Sequence, residues 1–131
     1  MAKKRILVVD DEIDLVKAIQ IRLKGANYEV VVAYDGEKGL EKAKQYKPDL
    51  IILDIMMPKM TGNDVAAVLK MDKELSRIPI IFLTCLADGI VDKPSGDTIV
   101  GSRFMAKPFD TEELLSAIDE VIRAKQSRGQ A

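Results

Sequence analysis

The sequence predicts an α/β fold, a doubly wound parallel sheet of five strands with about five helices covering both of its faces. Three observations predict it. Short apolar runs rich in β-branched residues alternate along the chain with segments of helical apolar spacing. The central runs Leu50–Leu53 and Ile80–Leu83 are apolar throughout, as strands covered on both faces must be. Finally, 131 residues at 47% hydrophobic and 31% charged suit one folded domain of ordinary size.

Arg5–Val9 is the first strand, ending at the acid pair Asp10-Asp11. Apolar residues at 15, 16, 19 and 23 then give Ile13–Lys24 a helical period, with Gly25 as its stop. Tyr28–Ala33 reads as the second strand, closed by the turn signal Asp35-Gly36. Glu37–Tyr46 is a weaker helix with Leu40 and Ala43 on its apolar side and Pro48 beyond its end. Leu50–Leu53 is the third strand, and Asp54 stands at its exit. The loop Ile55–Gly62 contains Pro58 and leads into a helix from about Asn63 to Asp72.

Pro79–Leu83 is the fourth strand, with Thr84 at its exit, and Phe104–Ala106 a short fifth one before Lys107-Pro108. Asp110, with Glu113 three residues on, has the pattern of a capping box for a last helix running to about Lys125. Between these strands Leu86–Gly101 should supply the fourth helix, yet it holds Gly89, Pro94, Ser95 and Gly96. Proline removes a helical hydrogen bond and glycine adds conformational cost, so that helix is expected to be short, irregular or mobile. Residues 1–126 are read as one domain and 127–131 as a disordered tail.

Composition excludes several classes of function. The formal net charge is -1, from 20 basic and 21 acidic residues, which suggests no direct nucleic-acid binding. No apolar run reaches the roughly 20 residues of a membrane span, and Ile6–Val9 is too short for a signal-peptide core. A single cysteine, Cys85, suits a reducing compartment, so a cytoplasmic setting is expected. The chain has no histidine. Histidine acid–base chemistry, Ser/His or Cys/His nucleophiles and His-containing zinc sites are therefore all excluded. Polar chemistry must rest on carboxylates, hydroxyls, lysines and an oxygen-bound metal.

Parallel sheets bind ligands beyond the carboxyl ends of their strands. The polar residues that interrupt the apolar runs all fall there: Asp10 and Asp11 after strand one, Asp54 after strand three, Thr84 after strand four and Lys107 after strand five. Carboxylates gathered on one rim repel unless a cation joins them, and magnesium, a hard ion that takes carboxylate and phosphate oxygens, is the expected cofactor. Asp54 can then act as a nucleophile toward phosphorus, with the metal and Lys107 neutralising charge on the transferred group.

Four segments carry a resemblance: Ile6-Leu7-Val8-Val9-Asp10-Asp11-Glu12, Leu53-Asp54-Ile55-Met56-Met57-Pro58-Lys59-Met60-Thr61-Gly62, Ile81-Phe82-Leu83-Thr84 and Phe104-Met105-Ala106-Lys107-Pro108-Phe109. In this order and at these separations the chain resembles the receiver domain of bacterial response regulators, from Lys4 to about Lys125. The resemblance implies a flavodoxin-like sheet of order 2-1-3-4-5 and a phosphorylation-activated switch of a two-component or phosphorelay system. It implies that Asp54 is the phosphoacceptor, that Asp11, Asp54 and the Met56 carbonyl bind Mg2+, and that Asp10 acts mainly through water. It further implies that Lys107 contacts the phosphoryl group, that Thr84 moves toward it, and that Phe104 then turns inward, moving the signal to the face made by strands four and five. A cis Lys107-Pro108 peptide is expected as well.

The partners expected on this reading are a histidine kinase or phosphotransfer protein as donor and an unidentified protein as downstream target. Direct contact with nucleic acid or membrane is not expected, and the chain is expected to be a monomer or weak dimer. It is read as a phosphoacceptor rather than an enzyme, with at most slow self-dephosphorylation. The residues that flank the path of hydrolytic water in the family correspond to Met56 and Leu86, both apolar.

Plainer readings compete at each position. Either Asp10 or Asp11 suffices to cap a helix, but capping needs only one. Asp54, Thr84 and Lys107 taken singly are unremarkable loop or surface residues. Phe104 is equally compatible with plain core, and it stands where the family more often has tyrosine. Met56, Met57 and Met60 suit loop packing, since thioethers are poor ligands for magnesium. Two other functions are considered: a small-molecule phosphohydrolase, which would need an acid at Met56, and a degenerate receiver, which retention of all five polar residues disfavours.

Overall fold

The computed structural model describes residues 3–85 and 103–129. Because successive side chains of a strand point to opposite faces, an all-apolar strand must feed two cores at once. Strands β1 (Arg5–Val9), β2 (Glu29–Ala33), β3 (Leu50–Asp54), β4 (Ile80–Cys85) and β5 (Arg103–Lys107) form one parallel sheet in the order β2-β1-β3-β4-β5. On one face Leu7, Val9, Ile51, Leu53 and Phe82 pack with Ala43 of α2 (Gly36–Tyr46) and with Val65 and Leu69 of α3 (Gly62–Lys70). On the other, Ile6, Val8, Ile52, Ile81 and Leu83 meet Val16, Ile19 and Leu23 of α1 (Ile13–Gly25), and Leu114 and Ile118 of α4 (Thr111–Gly129). The doubly wound architecture and the strand order are those expected.

Local chemistry sets the helix ends. Asp35 caps α2, its Oδ1 accepting from the Lys38 amide at 2.7 Å. At α3, Thr61 and Asp64 form a full capping box: the Asp64 amide donates to Thr61 Oγ1 at 3.2 Å, and the Thr61 amide to Asp64 Oδ2 at 3.0 Å. The sequence reading started this helix one residue later and overran its end at Lys70. Asp110 turns its Oδ1 to the Glu112 amide at 2.9 Å at the start of α4, but among the described residues the Glu113 side chain does not complete the expected capping box. By contrast, the N-cap of α1 is Glu12, whose side chain makes no cap bond. Neither Asp10 nor Asp11 is the N-cap of that helix.

Three strands run further than the apolar pattern suggested. Asp54, Thr84 and Lys107 lie within β3, β4 and β5, so the ladder itself fixes their backbones. The last helix continues to Gly129, past the expected end near Lys125. The described residues contain four α-helices and a 3-10 turn, Leu75–Arg77. The expected short or irregular helix within 86–101 lies outside the described residues, and so does Leu86.

Candidate functional site

Register brings the polar strand ends together. Val9 of β1 pairs with Leu53 of β3, so Asp10 and Asp54 follow side by side; Asp54 pairs with Leu83, and Cys85 with Lys107. The rim thus collects residues from four strands that lie up to 97 positions apart in sequence. Asp10 is 0% exposed and Asp54 3%, whereas Asp11 faces solvent. One carboxylate oxygen from each of the three lies within 4.8 Å of the others.

Buried carboxylates need donors or countercharge, and here the supply is partial. Asp10 Oδ1 accepts from the Glu12 amide at 2.9 Å. Asp10 Oδ2 is fully buried and lacks a hydrogen-bond donor, although Lys107 Nζ lies 2.8 Å away as an ion pair. The two facts agree if the ammonium approaches at an angle that suits charge attraction but not a hydrogen bond. Asp54 Oδ1 accepts from the Met56 amide at 3.3 Å and lies 3.5 Å from Lys107 Nζ. Among the described residues no group donates to Asp54 Oδ2.

Electrostatics follow from this arrangement. Burial first, and then the charge of Asp10, push the Asp54 carboxyl up to about 7, against the pull of Lys107 and the Met56 amide. Burial alone would lower the Lys107 ammonium. Contacts with Asp10 and Glu12 and the charge of Asp54 outweigh that, so its pKa lies above the ordinary lysine value. A carboxylate that resists ionisation beside an orphaned buried carboxylate oxygen is a site short of positive charge. Three hard oxygen donors fit magnesium, and the group of ligand atoms includes no cysteine or histidine to favour a softer metal.

The remaining predicted residues surround this centre. Thr84 is buried at the end of β4, where it pairs in register with Ala106, one residue before Lys107. Phe104 is half-buried and stacks on Phe82, with ring centroids 5.1 Å apart and planes 15° from parallel. In this structure its ring belongs to the core, on the opposite face from Leu83. Met56 contributes its amide to Asp54 while its side chain is 61% exposed. The Lys107-Pro108 peptide is cis.

Two residues were missed by sequence reasoning. Glu12 reaches Lys107, its Oε1 2.8 Å from Nζ. The available signal was a glutamate in a helix N-cap position, where Ser, Thr, Asp or Asn would be favoured. Gly62 underlies the acid loop: a Cβ there would come within 2.4 Å of the Asp54 carbonyl oxygen. Its amide donates instead to the Ile55 carbonyl at 3.0 Å.

Residues 6–119 match the family model of the response regulator receiver domain. The chain belongs to that family. It is 39% identical over 94% of its length to the alkaline phosphatase synthesis transcriptional regulatory protein PhoP of Bacillus subtilis, covering 50% of that protein. It is 40% identical over 91% of its length to the DNA-binding dual master transcriptional regulator RpaA of Synechocystis, covering 49% of it. Among solved structures, the chemotaxis protein CheY4 of Vibrio cholerae is similar with a TM-score of 0.77 and 31% identity, over 92% of this chain and 99% of that one.

The receiver therefore spans about half the length of the curated relatives it matches. These kin correct the expectation about partners. The reading of no nucleic-acid contact, with a separate protein as target, does not stand beside relatives that are transcriptional regulators, one named as DNA-binding. The physical reason is plain. A balanced net charge describes this stretch of chain alone and cannot speak for the half of those proteins it does not match. Among the described residues no helix is long and apolar enough to cross a membrane.

Proposed function

We propose that this receiver is a phosphorylation-activated switch that takes a phosphoryl group onto Asp54 from a phosphohistidine donor, a histidine kinase or phosphotransfer protein. One observation carries the reading: a nearly buried Asp54, within one acid cluster, has an ammonium 3.5 Å from one oxygen and no described donor on the other. That free oxygen attacks phosphorus, and a P–O bond forms as the donor's P–N bond breaks. The electron pair leaves with the donor imidazole. Asp10, Asp11 and Asp54, together with the Met56 carbonyl, would hold Mg2+. When bound, Mg2+ supplies charge neutralisation for the phosphoryl oxygens in transfer. Lys107 offers a second positive contact, and the Thr84 hydroxyl a hydrogen-bond donor at the same rim.

The signal then leaves through Thr84 and the Phe82–Phe104 stack, because both sit on β4 and β5 beside the site. Kinship with transcriptional regulators supports transcription as the process controlled, and with it a cytoplasmic setting. A small-molecule phosphohydrolase is disfavoured by Met56, since no acid stands two residues beyond Asp54. The exposed Met56 also lacks a polar group to orient water, so self-dephosphorylation is slow.

One experiment tests all of this. The protein is incubated with acetyl phosphate and Mg2+, followed by intact mass, and then chased without donor. One phosphoryl group should appear, be absent in Asp54→Ala or with EDTA, and persist for minutes or longer. No gain, or an equal gain in Asp54→Ala, would falsify the acceptor assignment. A half-life of seconds would refute the slow turnover alone.

A further inference from the structure

The Lys107 ammonium faces three carboxylates at unequal distances. Its Nζ is 2.8 Å from Asp10 Oδ2 and 2.8 Å from Glu12 Oε1, but 3.5 Å from Asp54 Oδ1. Only Glu12 receives a hydrogen bond of good geometry from it. Two of the three acids are buried, Asp10 just past β1 and Asp54 at the end of β3; Glu12 is 61% exposed and sits before the first turn of α1. The acceptor with good geometry is thus the exposed one, which is freest to let go.

Glu12 has no competing structural task. It is the N-cap of α1, yet its side chain bonds no helix amide, and the amide it does use to reach Asp10 is backbone. A glutamate there is a poor capping choice, and its side chain instead spans 95 residues of sequence to meet Lys107. As an ordinary surface ion pair it would contribute little stability. Its consequence lies in position: it draws one N–H of a nearly buried ammonium outward, away from Asp54.

We infer that Glu12 is a positioning residue that parks Lys107 off the Asp54 carboxylate before phosphorylation, keeping that carboxylate open to Mg2+ and to the incoming phosphoryl group. The inference rests on the acceptor role given to Asp54 above. Without Glu12, the ammonium has, among the described residues, only Asp10 and Asp54 to answer. Asp10 Oδ2 offers charge but unsuitable hydrogen-bond geometry, so the ammonium settles on Asp54. There it competes with the cation for the same oxygens. With Glu12 in place, release toward a bound phosphoryl group costs only an exposed contact.

The test is Mg2+ alone, titrated into the unphosphorylated protein and followed by amide NMR shifts. Glu12→Asp keeps the charge but loses the reach, and Glu12→Ala loses both. Both substitutions should weaken Mg2+ binding about threefold, the scale of an exposed ion pair. In a Lys107→Ala background, Glu12→Ala should leave the affinity unchanged. Wild-type affinity in Glu12→Asp would overturn the proposal, because charge alone would then suffice; weakening that survives in Lys107→Ala would do so too. Absence of Mg2+ binding to the wild type would also end it. If Lys107→Ala does not fold, the Glu12→Asp result decides by itself. Phosphoryl gain from acetyl phosphate, measured on the same wild-type sample, separates the two readings. Gain without a Glu12 effect refutes only this inference, whereas no gain refutes the acceptor role.

Discussion

At Asp54, burial and the neighbouring Asp10 oppose ionisation, while Lys107 and the Met56 amide favour it, and the opposing effects win. A carboxyl raised to about 7 in the folded state, from about 3.8 when unfolded, binds its proton more tightly when folded. The folded protein therefore carries a cost at pH 8 that is relieved as pH falls through about 7. In EDTA, stability should rise by about 1 kcal/mol between pH 8 and pH 6, after discounting for the shared countercharge of Lys107. Asp54→Asn should raise stability at pH 8 and flatten this slope, as read by urea denaturation at the two pH values. An unchanged slope in Asp54→Asn would mean that another group carries the proton.

Among the elements, the acid loop between β3 and α3 shows how little room the site leaves. Gly62 opens α3 directly under Asp54, and a methyl group there meets the Asp54 carbonyl and Ile55 Cα, both backbone atoms that cannot swing aside. Gly62→Ala should cost about 1–3 kcal/mol, as overpacking does, and loosen Mg2+ binding with it. Gly25 closes α1 with nothing within 4 Å of an added Cβ, so Gly25→Ala should instead stabilise by about 0.5 kcal/mol. Paired melts of the two variants check this; equal effects would show that the close approach is not what keeps Gly62. Sequence made these elements legible wherever one local signal decides them. Asp110 announced a helix start and the strand runs announced the sheet, whereas Asp35 read as a turn signal although it caps α2. It missed the Thr61–Asp64 box because Gly62 reads as a loop residue, although it is the first residue of α3. It ended β3, β4 and β5 early because Asp54, Thr84 and Lys107 are polar, whereas pairing with their neighbours holds them in the ladder.

For the whole molecule, the same ladder that buries two apolar cores also forces four polar strand ends onto one rim. The strand order rested on the resemblance to the receiver family, whereas the strand exits at Asp10, Asp54 and Lys107 were legible, because they follow from a pattern repeated along the chain. The contact between Glu12 and Lys107 was not, since it joins side chains 95 residues apart across a register that composition does not encode. Nor could net charge reveal that relatives of twice this length act on transcription. Mg2+ binding at the rim, as proposed, would make global stability depend on the cation. Folding gathers three carboxylate oxygens within 4.8 Å, and the unfolded chain does not, so a divalent ion held there as proposed would bind the folded state selectively. Above its dissociation constant, each tenfold rise in Mg2+ should add about 1.4 kcal/mol to unfolding free energy. Exchange of Mg2+ for EDTA should accordingly lower the melting temperature, and Asp11→Ala/Asp54→Ala should melt at one temperature in both buffers. If the double variant still responds to Mg2+ as the wild type does, the ion is bound elsewhere, and the rim's acids gather for some other reason.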